Sequence, residues 1–260
     1  MTSFFGILLA VVVIGLGMVL KGASLNALNN PAAFLIIIGG TAAAIIIAFP
    51  FKEIKKFPLL IRVALFTPKQ PTIMEQIEEL VHCAEVAKKE GFLALEGEIE
   101  SIKDPFVQGG LELIVDGYNA EFIEEVLTEE LDAMESRHKV GALIFTQAGT
   151  YAPTLGVLGA VVGLIAALGN LTDINKIGHS ISAAFVATLL GIFTGYVCWH
   201  PLANKLKRIS KLEIDRKLMI IEGVVEIQGG ISAKALEKKL LANVPRKERE
   251  RKKAQAINNE

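Results

Sequence analysis

The stretch Ala148-Gly-Thr-Tyr-Ala-Pro-Thr-Leu-Gly-Val-Leu-Gly-Ala-Val-Val-Gly-Leu-Ile-Ala-Ala-Leu168 decides the fold of this chain. As a helix it spans the ~30 Å of a bilayer's hydrocarbon core, and it holds no Asp, Glu, Lys or Arg. Gly149, Ala152, Gly156, Gly159, Gly163 and Ala167 follow one another at steps of three and four, which lays small residues along one helix face. Lipid tails are as apolar as leucine, so such a face serves close backbone approach to another helix. The next apolar run, Ile181 to Trp199, repeats the device with Ala184, Thr188, Gly191 and Gly195. An inner pair of tightly packed helices is the expectation.

Two further runs without any charged residue, Ser3 to Leu20 and Pro31 to Phe51, precede this pair, whose first member starts at about Leu143. Each of the four holds roughly 18 to 26 residues, against the ~20 that a crossing needs. Span one and the core of span two are richer in Leu, Ile and Val, as suits helices that face lipid. With 52% hydrophobic residues in 260 and a mean hydropathy of +0.45, a membrane protein follows. The first run has no basic segment before it and no clear small-residue cleavage site, so it reads as a retained helix.

Charge orients the spans. Residues 52–142 carry 10 basic and 19 acidic residues, with Lys52, Lys55, Lys56 and Arg62 directly after span two. Residues 204–260 carry 15 basic and 8 acidic residues, with Lys205, Lys207, Arg208 and Lys211 directly after span four. The connectors hold only Lys21 on one side, and Asp173 and Lys176 on the other. The positive-inside rule puts both large polar segments and both termini in the cytoplasm. The predicted fold class is an all-α membrane protein. Residues 1–51 form a peripheral pair of transmembrane helices and 52–142 a helical cytoplasmic domain; 143–203 form the inner pair and 204–260 a basic cytoplasmic tail.

Within the cytoplasmic segment, Ile73, Ile77, Leu80, Ala84 and Ala87 form a helical stripe that Gly91 ends. A short helix follows until Asp104-Pro105, then one from Pro105 to about Asp116. From Ala120 the apolar pattern runs into span three without a proline before Pro153, which predicts one long helix projecting from the membrane.

No enzyme is expected. His82, His138, His179 and His200 are scattered, and neither a P-loop, a nucleophile elbow nor a dinucleotide fingerprint is present. The two cysteines, Cys83 and Cys198, are expected reduced and apart, and no metal-ligand spacing or cofactor motif occurs. The basic run Pro245 to Lys253 has interleaved Glu and no aromatics, so it points to solvent or anionic lipid headgroups and not to nucleic acid. No intramembrane carboxylate is available to bind an ion, so any conducted ion must titrate a group on a partner.

Several of these segments together resemble a known family. Phe145-Thr-Gln-Ala-Gly-Thr-Tyr-Ala-Pro, Ala183-Ala-Phe-Val-Ala-Thr-Leu-Leu-Gly, His200-Pro-Leu-Ala-Asn-Lys, Asn30-Pro-Ala-Ala-Phe and Lys88-Lys-Glu-Gly-Phe-Leu-Ala-Leu-Glu are similar to the MotA family of flagellar motor stator subunits. The likeness covers nearly all of the chain except its last dozen or so residues. It implies five copies around two copies of MotB, whose helix supplies the ion-binding aspartate, and torque on the rotor protein FliG. It implies that Pro153 and Pro201 couple ion passage to conformational change, and that Lys88 and Glu96 work against the rotor. The family often has Arg where this chain has Lys88, which keeps charge but loses planar pairing. Sodium-driven members tend to carry Thr where this chain has Gly159-Ala160; an aliphatic Ala160 cannot replace a sodium ion's hydration, so proton coupling is expected. Thr188 keeps the hydroxyl of the corresponding span-four position. The alternative is a related ExbB/TolQ subunit energising an outer-membrane process, although those generally have three spans. A passive membrane scaffold is the third reading.

Overall fold

In the computed structural model, residues 2–67, 71–169, 172–246 and 249–250 are described. Helices dominate, and among the described residues there is no β-strand. The chain forms two compact units, one from residues up to 67 together with 137–209, the other from 71–136 together with residues from 210 onward.

The first unit opens with α1 (Thr2–Leu20), which fully buries none of its residues and leaves most of its surface to lipid or a neighbour. Asn30 caps α2 (Pro31–Ala48): its Oδ1 accepts the Ala33 N–H at 3.1 Å, and Pro31 fills the first helical position, where no donor is needed. Ala33, Ile37, Thr41 and Ile45, four residues apart, form the buried stripe of α2. The expected end of this span at Phe51 moves back to Ala48. Phe49 is extended, with φ −129° and ψ 143°, as a residue before a proline prefers, and Phe51 opens a separate turn, Phe51–Ile54. A further helix, α3 (Phe57–Leu65), then lies in the same unit, its Phe57 ring 5.0 Å from Phe145 and 6.0 Å from Trp199.

The second unit begins with α4 (Ile73–Glu90). A reciprocal capping box starts it: the Thr72 N–H donates to Glu75 Oε2 and the Glu75 N–H to Thr72 Oγ1. Gly91, at φ +90°, ends it in a conformation that other residues rarely adopt. The short α5 (Leu95–Ile99) and then α6 (Pro105–Val115) follow, the latter capped by the Asp104 carboxylate, which also pairs with Lys217 at 3.7 Å. Ile77, Leu80, Leu95, Val107, Leu111, Ile114, Ile123 and Leu127 are essentially inaccessible, each contributing ~1.5–3 kcal/mol of burial.

Two helices serve both units. As predicted, α7 (Ala120–Leu168) runs unbroken from the acidic segment through span three. The second, α8 (Ile174–Gln228), is longer than the predicted span four and continues well past Trp199. Within the basic segment 204–260, the last part of α8 is followed by α9 (Ala233–Leu240). Ile220, Val224, Ile227, Leu236 and Leu240 from this segment join the core of the second unit. Its charges occupy the outer helix face and conceal an apolar stripe at steps of four and three. Most of Pro245 to Lys253, expected in solvent or at anionic lipid headgroups, lies outside the described residues.

Candidate functional site

The small faces of α7 and α8 meet backbone to backbone. A β-carbon built on Gly191 would stand 2.7 Å from Gly156 Cα and 2.8 Å from the Ala152 carbonyl oxygen, so neither helix has room for one. Farther along, Gly159 packs on Ala187 and Gly163 on Ala184, with β-carbon positions 3.2 and 3.1 Å from those methyls. The span-four side of the seam is therefore Ala184, Ala187, Gly191 and Gly195. Thr188, placed on the expected stripe, stands beside the seam and is half-buried, and its hydroxyl donates to the Ala184 carbonyl at 3.3 Å. Ala160 is likewise half-buried, next to the seam residue Gly159. Asn30 adds a polar tie, its Nδ2 donating to the Ala183 carbonyl at 3.3 Å.

Both prolines bear on one short segment of α8. Residues Thr194–Trp199 form a π-turn, a widened helical turn with room to absorb an irregular hydrogen-bond pattern. Pro201 follows at once; its ring has no N–H and would crowd the Val197 carbonyl in a regular helix, and widening of the preceding turn relieves that conflict. On the facing helix, Pro153 cannot donate to the Gly149 carbonyl. That freed oxygen and the Pro153 ring both face Gly195: a β-carbon there would stand 2.8 Å from Gly149 Oand 2.6 Å from Pro153 Cγ. The two prolines thus flank the same turn, one against its side and one at its end, and neither marks a helix terminus.

Three hydroxyls of α7 went unread in the sequence. Thr146, Thr150 and Thr154 each donate to the carbonyl four residues back, at 3.1, 3.0 and 3.2 Å, and Thr150 and Thr154 are exposed. Their spacing of four was the available sign. Every one of these hydroxyls keeps its oxygen lone pairs for a water or an ion.

In the second unit, Lys88 sits in the last turn of α4 and Glu96 in α5, on either side of Gly91, and both are exposed. Nearby charges are engaged: Lys89 pairs with Glu85 at 3.7 Å and His82 meets Glu98 at 3.2 Å. Among the described residues Lys88 and Glu96 have no ion-pair partner. Leu93, between them, is 74% exposed, an apolar contact that charge-based reading overlooked. Beneath this rim Cys83 is sealed in the core. Burial, with Glu79 and Glu98 adding negative charge, pushes its thiol up to about 12, so it is inert near neutral pH.

Residues 98–219 match the MotA/TolQ/ExbB proton channel family, and residues 4–91 match the motility protein A N-terminal family. Motility protein A of Bacillus subtilis is 58% identical over 95% of this chain and 92% of its own length. The chain belongs to the MotA/TolQ/ExbB proton channel family. Another relative, the chemotaxis protein PomA of Vibrio alginolyticus, is 30% identical over 83% of this chain and 84% of its own. Among solved structures, the flagellar MotAB stator complex from Bacillus subtilis superposes with a TM-score of 0.90 at 58% identity, covering 95% of this chain and 97% of that one. The MotAB structure from C. jejuni superposes with a TM-score of 0.89 at 29% identity, covering 94% and 96%. As a member of this family with four apolar helices of spanning length, the chain is a multi-pass protein of the inner membrane.

Proposed function

We propose that this chain is the wall-forming subunit of a flagellar motor stator, which with a MotB companion converts an ion gradient into torque. The carrying observation is the pairing of four charge-free spans with an inner seam of touching glycine backbones. A charge in mid-bilayer costs at least ~2.5 kcal/mol, so helices that supply none leave a site for a companion's aspartate. Support comes from relatives named motility protein A and from the likeness to MotAB stator complexes. The match to the motility-specific N-terminal family, over the hairpin and the Lys88 segment, favours the motor over an ExbB/TolQ-type role.

In this reading five copies surround two companions, with residues 1–51 and 143–203 in the bilayer and 52–142 and 204–260 in the cytoplasm, both termini included. Ala160 and Thr188 line the ion path, and the aliphatic Ala160 fits proton transfer. Passage of one charge yields ~2.3 kcal/mol per 100 mV, which shifts helix packing where Pro153 and Pro201 leave the hydrogen-bond ladder incomplete around Gly195. Lys88 and Glu96, without an ion-pair partner among the described residues, engage the rotor protein FliG. The chain performs no covalent catalysis and carries no cofactor.

The test is charge reversal at the rim. Lys88→Glu should reduce swimming torque severalfold while membrane levels of the protein stay normal, and an opposite reversal on the rotor should restore it. Unchanged swimming would remove Lys88 from the rotor contact.

A further inference from the structure

A second site lies away from the seam. In the first unit Lys205 Nζ donates to Ser3 Oγ at 2.8 Å and approaches Thr2 Oγ1 at 3.5 Å, while Ser3 in turn donates to the Ala64 carbonyl at 3.1 Å. Among the described residues no carboxylate reaches this ammonium, so hydroxyls hold it in place without neutralising it. It opens on a recess of about 230 Å³ walled by Thr2, Gly6, Ile7, Pro201 and Leu202. Ile7 and Leu202 are also walls of an adjoining cavity of about 550 Å³, bounded by Ile37, Thr41, Ile45 and Trp199 among others and almost wholly apolar. That volume falls within the ~300–1,000 Å³ typical of small-molecule sites. One hydroxyl interrupts it: Thr41 Oγ1 is buried and has no hydrogen-bond partner. An unmet polar group in such surroundings is costly, and an acceptor on an occupant would satisfy it.

A cation without a counter-charge at the mouth, an apolar slot behind it and one stray donor inside describe an amphiphile. We infer that this is a seat for a single anionic phospholipid, its phosphate on Lys205, its acyl chain in the cavity and an ester oxygen within reach of Thr41. Arg208, exposed one turn farther along the same face of α8, adds to the attraction for a negative headgroup. Pro201 is part of the wall, so an occupied seat bears directly on the proline two residues beyond the π-turn.

Native mass spectrometry decides it, on the full-length chain purified with its membrane companion and titrated with phosphatidylglycerol or, separately, phosphatidylcholine. The wild type should retain phosphatidylglycerol in preference. Lys205→Gln should lower that retention about fivefold, the factor matching ~1 kcal/mol per basic residue near an anionic surface, with phosphatidylcholine unaffected. Ile7→Trp, which keeps the cation but fills the slot, should displace both lipids. Excess inorganic phosphate should not compete, since it has no chain to bury. Equal retention of the two lipids by the wild type, undiminished phosphatidylglycerol in Lys205→Gln, or displacement by free phosphate would overturn the inference.

Discussion

The seam between α7 and α8 in the first unit and the core of the second unit are both helix against helix, yet they are held by opposite means. In the core, large aliphatic side chains such as Leu80, Leu111 and Ile220 leave water, and the hydrophobic effect supplies the drive. In the seam that drive is absent, because lipid is an equally good solvent for apolar surface. Contact there comes from removing side chains until Gly156 and Gly191 touch through their backbones. The lesson is that the core suffers most from deletions, while the seam, already reduced to glycine and alanine, cannot accept an addition that meets backbone.

Truncation in the core should have the largest effect. Ile220→Ala, at a fully inaccessible position, should cost ~2–5 kcal/mol, read from chemical unfolding of the purified protein. Next is a pH effect confined to that core. The folded state holds Cys83 as a neutral thiol up to about 12, against 9.0 for an unperturbed one. A raised value of this kind leaves stability intact below pH 9 and removes it as pH climbs from 9 toward 12, by at most ~1.4 kcal/mol per unit. Cys83→Ala should lack that component of the alkaline loss; identical alkaline profiles would contradict the sealed thiol.

The seam predictions are smaller in energy but sharper in meaning. Gly191→Ala adds a single methyl, yet it meets Gly156 Cα and the Ala152 carbonyl, which cannot rotate away. Overpacking should cost ~1–3 kcal/mol and abolish swimming. Gly223→Ala is the control, for its methyl meets side-chain ends alone, Leu80 at 2.8 Å and Leu240 at 3.4 Å, and leucine ends can turn aside. Its cost should stay below ~1 kcal/mol, with swimming retained. Equal penalties for the two glycine changes would erase the distinction between the regions.

Much of this was legible beforehand. The four spans announce themselves by the absence of charge, and Gly156, Gly159 and Gly163 by their spacing. The long helix from Ala120 follows from an uninterrupted apolar stripe. Other features were hidden for physical reasons. The π-turn at Thr194–Trp199 adds a residue to the helical repeat beyond the seam; within the regular helix before it, Ala187 and Thr188 both fit helical spacing between Ala184 and Gly191, and the seam takes Ala187 with Thr188 left beside it. Nothing in the residue types marks such an insertion except the following Pro201. The helical character of residues 210–228 was masked by net positive charge, since counting charges ignores which face they occupy. The end of α2 was readable, because Pro50 dictates an extended Phe49, but hydrophobicity alone carried the span too far.

The central claim is that these spans wall an ion path and supply no titrating group of their own. Proton uptake into vesicles tests it most directly, with this chain reconstituted alone and together with its aspartate-bearing companion under an imposed gradient. The account predicts flux only when both are present; conductance from this chain by itself would contradict it.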